Sequence, residues 1–266
     1  MISHSFSALS SGLAIACALA LGPAFGPARA AESVGEVVQV PDGDTLVLSS
    51  GDKVRLAGIQ APKLPLGRDF VAWPLADMAR EALSGLVLGK QITMRRGEVG
   101  KDRHGRILAQ VFVEDGVWVQ QALVQAGMAR VYSLPDNRAG IGDLLGTESM
   151  ARAERRGLWG DPFYAVRDAM DVDGLAAREG YFEIVEGRVV NAAKSGALVY
   201  LNFGRRWSTD FTVVVAPAAQ KLFKDAAFDP LSTQDHLVRV RGWIGLNGGP
   251  RMEVTHPEQI EVLAAR

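Results

Sequence analysis

Two acidic residues, Asp42 and Asp44, flank a glycine and are followed by Thr45. Carboxylate oxygens are the ligands that hard cations such as Ca²⁺ prefer, and a turn of this composition brings two carboxylates towards one point. Further along the chain, Arg55 and Arg106 carry planar guanidinium groups, which can bind a phosphate through two parallel hydrogen bonds. Hydrolysis of a phosphodiester requires a neutralised phosphate and an activated water, and these residue types can contribute to both.

Each of these residues also has a plain structural interpretation. Asp-Gly is a common turn dipeptide, so residues 42–45 can be a simple hairpin turn. Each arginine can form a surface ion pair, for example with Asp52 or Asp102. The presence of residues 54–63 and 102–106 after the turn, in that order, favours a functional site over coincidence.

In sequence and order, these three stretches resemble the active-site strands and loop of the staphylococcal nuclease family. The resemblance covers residues 34–160 and implies an OB-type barrel of five strands with three helices. It implies that Asp44 binds Ca²⁺ while Asp42 and Thr45 shape the loop. It also implies that Arg55 and Arg106 are catalytic and clamp the substrate phosphate from opposite sides.

Two residues depart from the family pattern, which has an aspartate where this chain has Gln60 and a glutamate where it has Lys63. Gln60 keeps an oxygen but removes a charge, so the metal site formed by Asp44 and Asp42 should bind Ca²⁺ weakly. Lys63 cannot serve as the general base, and a missing base typically costs about 10²–10⁴ in rate. Lys63 could instead be a third cation that binds the phosphate.

The loop residue His104 stands where the family often has a tyrosine near the nucleotide. It either contacts the substrate or is a solvated loop histidine. The candidates for a replacement base are Asp69, Glu98, Asp102 and His104.

The sequence therefore predicts a protein that binds nucleic-acid phosphodiesters, DNA or RNA, with weak or absent hydrolysis. One alternative is an active metal-dependent nuclease with a relocated base. The other is a non-catalytic interaction module of the cell envelope. With a formal net charge of −1, the chain would attract nucleic acid through local arginine clusters and not through its overall field.

Residues 1–30 have the pattern of a signal peptide, an apolar run followed by Ala28-Arg29-Ala30. We expect cleavage near Ala30 and export to the periplasm or medium, with no integral membrane span in the mature chain. The only cysteine, Cys17, lies within this segment, and lipid anchoring there is the minor alternative.

The rest of the chain indicates a β-barrel-rich α+β fold with two domains. After the first barrel, residues 161–180 are predicted to be a linker with one helical stretch. Residues 181–263 show the order β-β-β-α-β-β, which predicts a second, smaller OB-like barrel. This domain contains Tyr200, Phe203, Trp207, Phe211 and Trp243 among Arg205, Arg206, Arg239, Arg241 and Arg251. These aromatic residues either fill the barrel or stack on the bases of a single strand.

Overall fold

The computed structural model of the chain describes residues 32–63 and 73–263, except for the side chains of Glu98 and Asp115. Four sequence predictions fall outside this part: the signal peptide, the anchoring cysteine Cys17, and the candidate bases Asp69 and Glu98. Among the described residues, no helix is both long and apolar enough to cross a membrane.

The first half of the chain forms a closed barrel of five strands. Its elements in chain order are β1 (Glu32–Asp42), β2 (Thr45–Leu48), β3 (Lys53–Leu56), β4 (Ile59–Gln60), α1 (Ala76–Val87), β5 (Gln91–Lys101), β6 (Ile107–Val113), α2 (Val119–Gln125), β7 (Arg130–Val131) and α3 (Ile141–Ala153). The barrel order is β1-β2-β3-β6-β5, in which only the β3·β6 pair is parallel, while β4 and β7 form a separate short ladder. This confirms the predicted barrel with three helices.

Alternating apolar residues form the core of the first barrel. On β6, the buried side chains of Ile107, Ala109 and Val111 point inwards at every second position. On α1, Ala79 and Leu83 are buried at helical spacing and face the same core. The two periodicities therefore place the helix against the barrel, below the turn that carries Asp44.

A second barrel follows after a short segment of 3₁₀ turns. Its elements are β8 (Arg167–Asp168), α4 (Val172–Ala176), β9 (Phe182–Arg188), β10 (Asn191–Ser195), β11 (Leu198–Asn202), β12 (Thr212–Val215), α5 (Pro217–Asp225), β13 (Leu237–Asn247), β14 (Gly249–Val254) and β15 (Ile260–Val262). They form one sheet of eight strands with the order β10-β11-β12-β14-β13-β9-β8, and β15 pairs with β13.

The second sheet has the same pairing order as the first barrel. In the first barrel, β1 pairs with both β2 and β5. In the second sheet, the consecutive strands β9 and β10 take the same place, because β9 pairs with β13 and β10 pairs with β11. The pair β12·β14 is parallel, as β3·β6 is in the first barrel. A second domain of OB type is therefore present, with β8, β10 and β15 in addition to the predicted strands.

The segment that the sequence predicts to be a linker contains regular structure. It holds the predicted helical stretch as α4, and β8 pairs in parallel with β9. Tyr164 is buried, and its hydroxyl donates a 2.6 Å hydrogen bond to the carbonyl of Pro74 in the first half of the chain. The domain boundaries themselves stay a prediction.

Buried charged groups join the two barrels. Arg241 on β13 forms an ion pair with Glu148 on α3, with Nη2 2.8 Å from Oε2. The same guanidinium also pairs with Glu261 of β15. Beside them, the Ser133 hydroxyl lies 2.6 Å from Nε2 of His256. The contact between the barrels therefore combines buried ion pairs and hydrogen bonds with aromatic pairs such as Tyr132 and Phe182.

Candidate phosphate-binding site

The turn between β1 and β2 places Asp44 inside the protein, where its side chain is fully buried. The carboxylate of Asp42 shapes the turn by accepting a 3.0 Å hydrogen bond from the backbone N–H of Asp44. Gly43 allows this turn to pack closely, because a Cβ there would lie 2.7 Å from Cβ of Ala61 and 2.8 Å from Cβ of Ala79. The glycine is therefore required by packing against the next loop and α1.

Lys63 lies directly against the Asp44 carboxylate. Its Nζ is 3.0 Å from Oδ1 and 2.8 Å from Oδ2, so one ammonium group bridges both oxygens. The backbone N–H of Ala61 donates a further 2.9 Å hydrogen bond to Oδ2. The sequence predicts Lys63 as a phosphate-binding cation, and the structure adds an intramolecular partner that the sequence did not indicate.

Arg55 contacts the same carboxylate from β3. Its Nη2 lies 3.2 Å from Oδ2 of Asp44 and donates a 2.7 Å hydrogen bond to the carbonyl of Ile59. Its Nη1 donates to the carbonyl of Leu56, and the residue as a whole is buried. Both terminal nitrogens of Arg55 therefore have partners within the protein, and they hold the β3–β4 turn against Asp44.

The two carboxyl groups of this turn have pKa values shifted in opposite directions. Burial raises the pKa of Asp44, but the charges of Arg55 and Lys63 and the hydrogen bonds outweigh it, and the pKa is lowered to about 2. Burial raises the pKa of Asp42, and the negative charge of Asp44 raises it further. Asp44 is therefore a firmly ionised and weakly basic carboxylate.

Arg106 borders the site from the loop before β6. Its Nε donates a 2.7 Å hydrogen bond to Oδ2 of Asp102, and its Nη1 lies 3.5 Å from the hydroxyl of Thr45. Asp102 also accepts from the backbone N–H groups of His104 and Arg106, and the positive φ of Gly105 closes this tight loop. The Arg106 side chain keeps 27% of its surface exposed.

Two other predicted site residues have partners other than Asp44. The exposed ring of His104 accepts a 3.1 Å hydrogen bond from Nε of Arg103. Gln60 is buried, and its Oε1 lies 3.4 Å from Nη2 of Arg130, its neighbour across the β4–β7 ladder. Arg130 was missed by sequence reasoning, because two-residue strands leave no periodic pattern that would pair β4 with β7.

The described residues do not fit a calcium ion at Asp44. Both carboxylate oxygens already face the ammonium group of Lys63, and Arg55 adds a second positive charge. Among the described residues, no group of three or more His, Cys, Asp or Glu side chains could hold a metal ion. A cation site needs several oxygen ligands and net negative charge, whereas this one is lined by cations.

Comparison with known proteins agrees with the barrel. Residues 53–161 match the family described as staphylococcal nuclease homologue. An uncharacterized endonuclease of Escherichia coli is 37% identical over 138 residues, which is 51% of this chain and 82% of that protein. A micrococcal nuclease of Shigella flexneri is 34% identical over 142 residues, covering 48% of this chain and 74% of the relative.

A third relative extends further along the chain. Protein ParB of Escherichia coli is 34% identical over 170 residues, which is 60% of this chain and 88% of that protein. The fold, the order of the site residues and the extent of these matches lead to one conclusion: the chain belongs to the staphylococcal nuclease homologue family.

Proposed function

We propose that the first barrel binds the phosphodiester backbone of nucleic acid and hydrolyses it slowly or not at all. The observation that carries this proposal is the position of Lys63, whose ammonium bridges both oxygens of Asp44. In this arrangement a positive charge fixed to the chain takes the place that the family resemblance gives to Ca²⁺. The names of the relatives, endonuclease and micrococcal nuclease, support nucleic acid as the ligand class.

The cations at the site retain donors for a phosphate. Lys63 has three N–H groups and uses two of them on Asp44, so one remains, and 21% of its side chain is exposed. Among the described residues, Nη2 of Arg106 donates no hydrogen bond. We therefore infer that Lys63 and Arg106 supply the donors for a phosphate oxygen, while Arg55 adds positive charge at Asp44.

The same geometry works against rapid hydrolysis. Activation of a water requires a base whose pKa is near the working pH, and Asp44, with a pKa of about 2, is a poor one. Asp102 has both carboxylate oxygens occupied by its own loop, and the Arg106 hydrogen bonds overcome its burial and lower its pKa. Neither group is suited to take a proton from water.

One observation favours the rival function, a nuclease with a relocated base. Burial and the nearby charge of Asp44 raise the pKa of Asp42, while the positive charge of Lys63 offsets part of this rise. An assay of single-stranded DNA and RNA with Ca²⁺, Mg²⁺ and Mn²⁺ in turn separates the two functions. Rapid turnover that is lost in Asp42→Asn would establish the rival in place of our proposal.

Binding is tested with a labelled single-stranded oligonucleotide at several salt concentrations. We expect affinity to fall as salt rises, because phosphate contacts release counterions. Arg106→Gln should weaken binding by about tenfold, the value of one charge-assisted hydrogen bond. Arg103→Gln removes the same charge from the same exposed loop and serves as the matched control. Equal binding by both variants would favour the interaction module.

We also propose that the protein is exported and that cleavage occurs near Ala30. The support is the apolar run in residues 1–30 and the small residues at its end. Mass spectrometry of the protein recovered from the producing cells would then find a mature chain that begins at Ala31. A chain with an intact N-terminus would contradict this.

A further inference from the structure

The second barrel has a groove on its outer face with a volume of about 330 Å³. We call it the Trp207 groove. Its floor consists of side chains from β10, β11, β12 and β14, and its rim consists of the loop 203–211 and the turn between β13 and β14. The residues that carry the chemistry are Asn191, Tyr200, Asn202, Trp207, Thr212 and Arg251.

Trp207 is exposed over 64% of its surface, although its loop is held in place. The carboxylate of Asp210 accepts a 2.8 Å hydrogen bond from the backbone N–H of Arg206, and the N–H groups of Thr209 and Asp210 donate to the carbonyl of Arg206. The exposure of Trp207 is thus a property of an ordered turn. An indole ring presented in this way has a flat face available for stacking.

Two glycines bring the opposite rim against this loop. A Cβ at Gly248, which has a φ of +81°, would lie 2.3 Å from the carbonyl oxygen of Ser208. A Cβ at Gly249 would lie 2.1 Å from the carbonyl oxygen of Thr209. The β13–β14 turn therefore packs directly on the loop that carries Trp207, and the groove is formed before any ligand binds.

The polar groups on the floor are partly satisfied by one another. Asn202 donates a 3.2 Å hydrogen bond from Nδ2 to Oδ1 of Asn191, and the hydroxyl of Thr212 donates a 3.1 Å bond to Oδ1 of Asn202. This chain of bonds fixes the amide of Asn191 so that its Nδ2 remains as a donor. Within the described part of the chain, neither Tyr200 nor Arg251 has a recorded side-chain hydrogen bond or ion pair.

The charges around the groove are mainly positive. Arg251 lines the floor, while Arg205 and Arg206 precede Trp207 on the exposed rim. Asp210, the acidic residue of the lining, accepts a hydrogen bond from the backbone N–H of Arg206, and its Oδ1 lies 3.7 Å from Nε of Arg206. Arginines on either side of an aromatic platform match the alternation of phosphates and bases along a single strand.

We propose that the Trp207 groove binds a short stretch of single-stranded nucleic acid, with bases stacked on Trp207 and Tyr200 and a phosphate held by Arg251. This inference rests on the proposed function of the first barrel, namely that the protein binds nucleic acid. It assigns a second site to the same ligand class. A neutral oligosaccharide is the competing ligand for an aromatic groove of this kind, but it would leave the positive charges of Arg205 and Arg251 without a counter-charge.

The test is fluorescence anisotropy of the whole mature protein with a labelled oligothymidylate of about ten nucleotides, a length that one such barrel can contact. Loss of one stacked base should weaken binding by about tenfold in Trp207→Ala, and Tyr200→Ala should act in the same direction. Trp243→Phe alters another exposed tryptophan and is the control. Unchanged thermal unfolding of Trp207→Ala would show that the variant is folded.

The first-barrel variant Arg106→Gln separates the two proposals. If Arg106→Gln weakens binding and Trp207→Ala does not, the groove proposal is overturned while the proposed function stands. The opposite result retains the groove and overturns the first-barrel site, and absence of binding by the wild type overturns both. Binding of a cellulose or chitin hexasaccharide that depends on Trp207 and is insensitive to salt would replace the nucleic acid with a glycan.

Discussion

Arg241 of the second barrel directs both terminal nitrogens of its guanidinium towards the carboxylate of Glu148 in the first barrel, and both residues are almost completely inaccessible to solvent. Glu148 also accepts a 2.8 Å hydrogen bond from the backbone N–H of Val131. A buried charge that loses its partner is costly, so each of these residues depends on the other half of the chain.

We expect Glu148→Gln to lower the free energy of unfolding by about 3 kcal/mol, because the buried guanidinium of Arg241 keeps Glu261 as its carboxylate partner but loses Glu148. Urea unfolding followed by circular dichroism measures this change. Asp225→Asn disrupts the exposed pair with Lys221 on α5 and should change stability by less than about 0.5 kcal/mol. Equal losses in the two variants would contradict the expectation.

The same junction gives an expectation for the predicted linker. The sequence predicts that limited proteolysis cuts between residues 161 and 180 and releases a folded fragment that begins near Tyr181. Separation would leave Arg241 without Glu148, so we expect any such fragment to be less stable than the same barrel in the intact chain. Comparison of the Tm of the fragment with that of the whole protein checks this.

His256 should make stability depend on pH. Burial lowers its pKa from 6.5 to about 4, and its Nε2 lies against the hydroxyl of Ser133. The unfolded chain binds a proton below about pH 6.5 while the folded chain does so only near pH 4, so stability decreases as the pH falls through this range. The loss attributable to this residue is roughly 3 kcal/mol at most.

His256→Gln should remove this part of the pH dependence. Unfolding in urea at about pH 7 and about pH 4.5 measures the difference for the wild type and the variant. His104→Gln replaces an exposed loop histidine and should keep the wild-type slope. If His256→Gln and the wild type lose stability in parallel, protonation of this ring is not the cause.

Chelation of divalent cations should leave the wild-type protein unchanged. The positive charges that face Asp44 belong to Lys63 and Arg55, which are covalently part of the chain and cannot be extracted by EDTA. We expect the same Tm and the same oligonucleotide affinity with EDTA and with Ca²⁺. A rise in Tm with Ca²⁺ that disappears in Asp44→Asn would show a metal ion at this carboxylate.

Restoration of the two missing acidic groups should create a metal-dependent nuclease. Gln60→Asp together with Lys63→Glu removes the bridging ammonium and supplies a second carboxylate and a base, which should raise the rate by up to about 10²–10⁴. Activity on single-stranded DNA with Ca²⁺ and a calcium-induced rise in Tm are the measurements. Arg130 can compete for the new carboxylate at position 60, because it already contacts Gln60.

Two comparisons make the double variant informative. Lys63→Glu alone should gain less than the pair, because position 60 still lacks a charge. Addition of Asp44→Asn to the pair should abolish both the activity and the calcium effect. Activity that survives in this triple variant would mean that the chemistry takes place elsewhere.

The sequence was sufficient to predict the first barrel but not the state of its site. Apolar periodicity depends on neighbouring residues, and it predicts a helix over residues 75–88 and a strand over residues 107–113, which the structure contains as α1 and β6. The contact of Lys63 with Asp44 and that of Arg130 with Gln60 join residues distant in the chain, and both depend on how the barrel closes. No local pattern in one sequence contains that information.

Only some of the aromatic residues of the second barrel fill its core. Phe203 and Phe211 are buried in the core, as the structural interpretation expects. Trp243 lies near Tyr132 of the first half, and Trp207 lines the outer groove. Burial of a ring is decided by which side of a strand or loop faces the core, and outside regular strands the sequence does not specify this.

Both barrels have the same strand order. A position beside the parallel strand pair of one barrel therefore has an equivalent position in the other. In the first barrel Arg55 lies on β3, and Arg106 lies one residue before its parallel partner β6. In the second, Thr212 and Arg251 face each other across β12 and β14. The two barrels therefore carry different side chains at equivalent positions. The side chains at this position can change in one barrel while the strands of the other stay as they are.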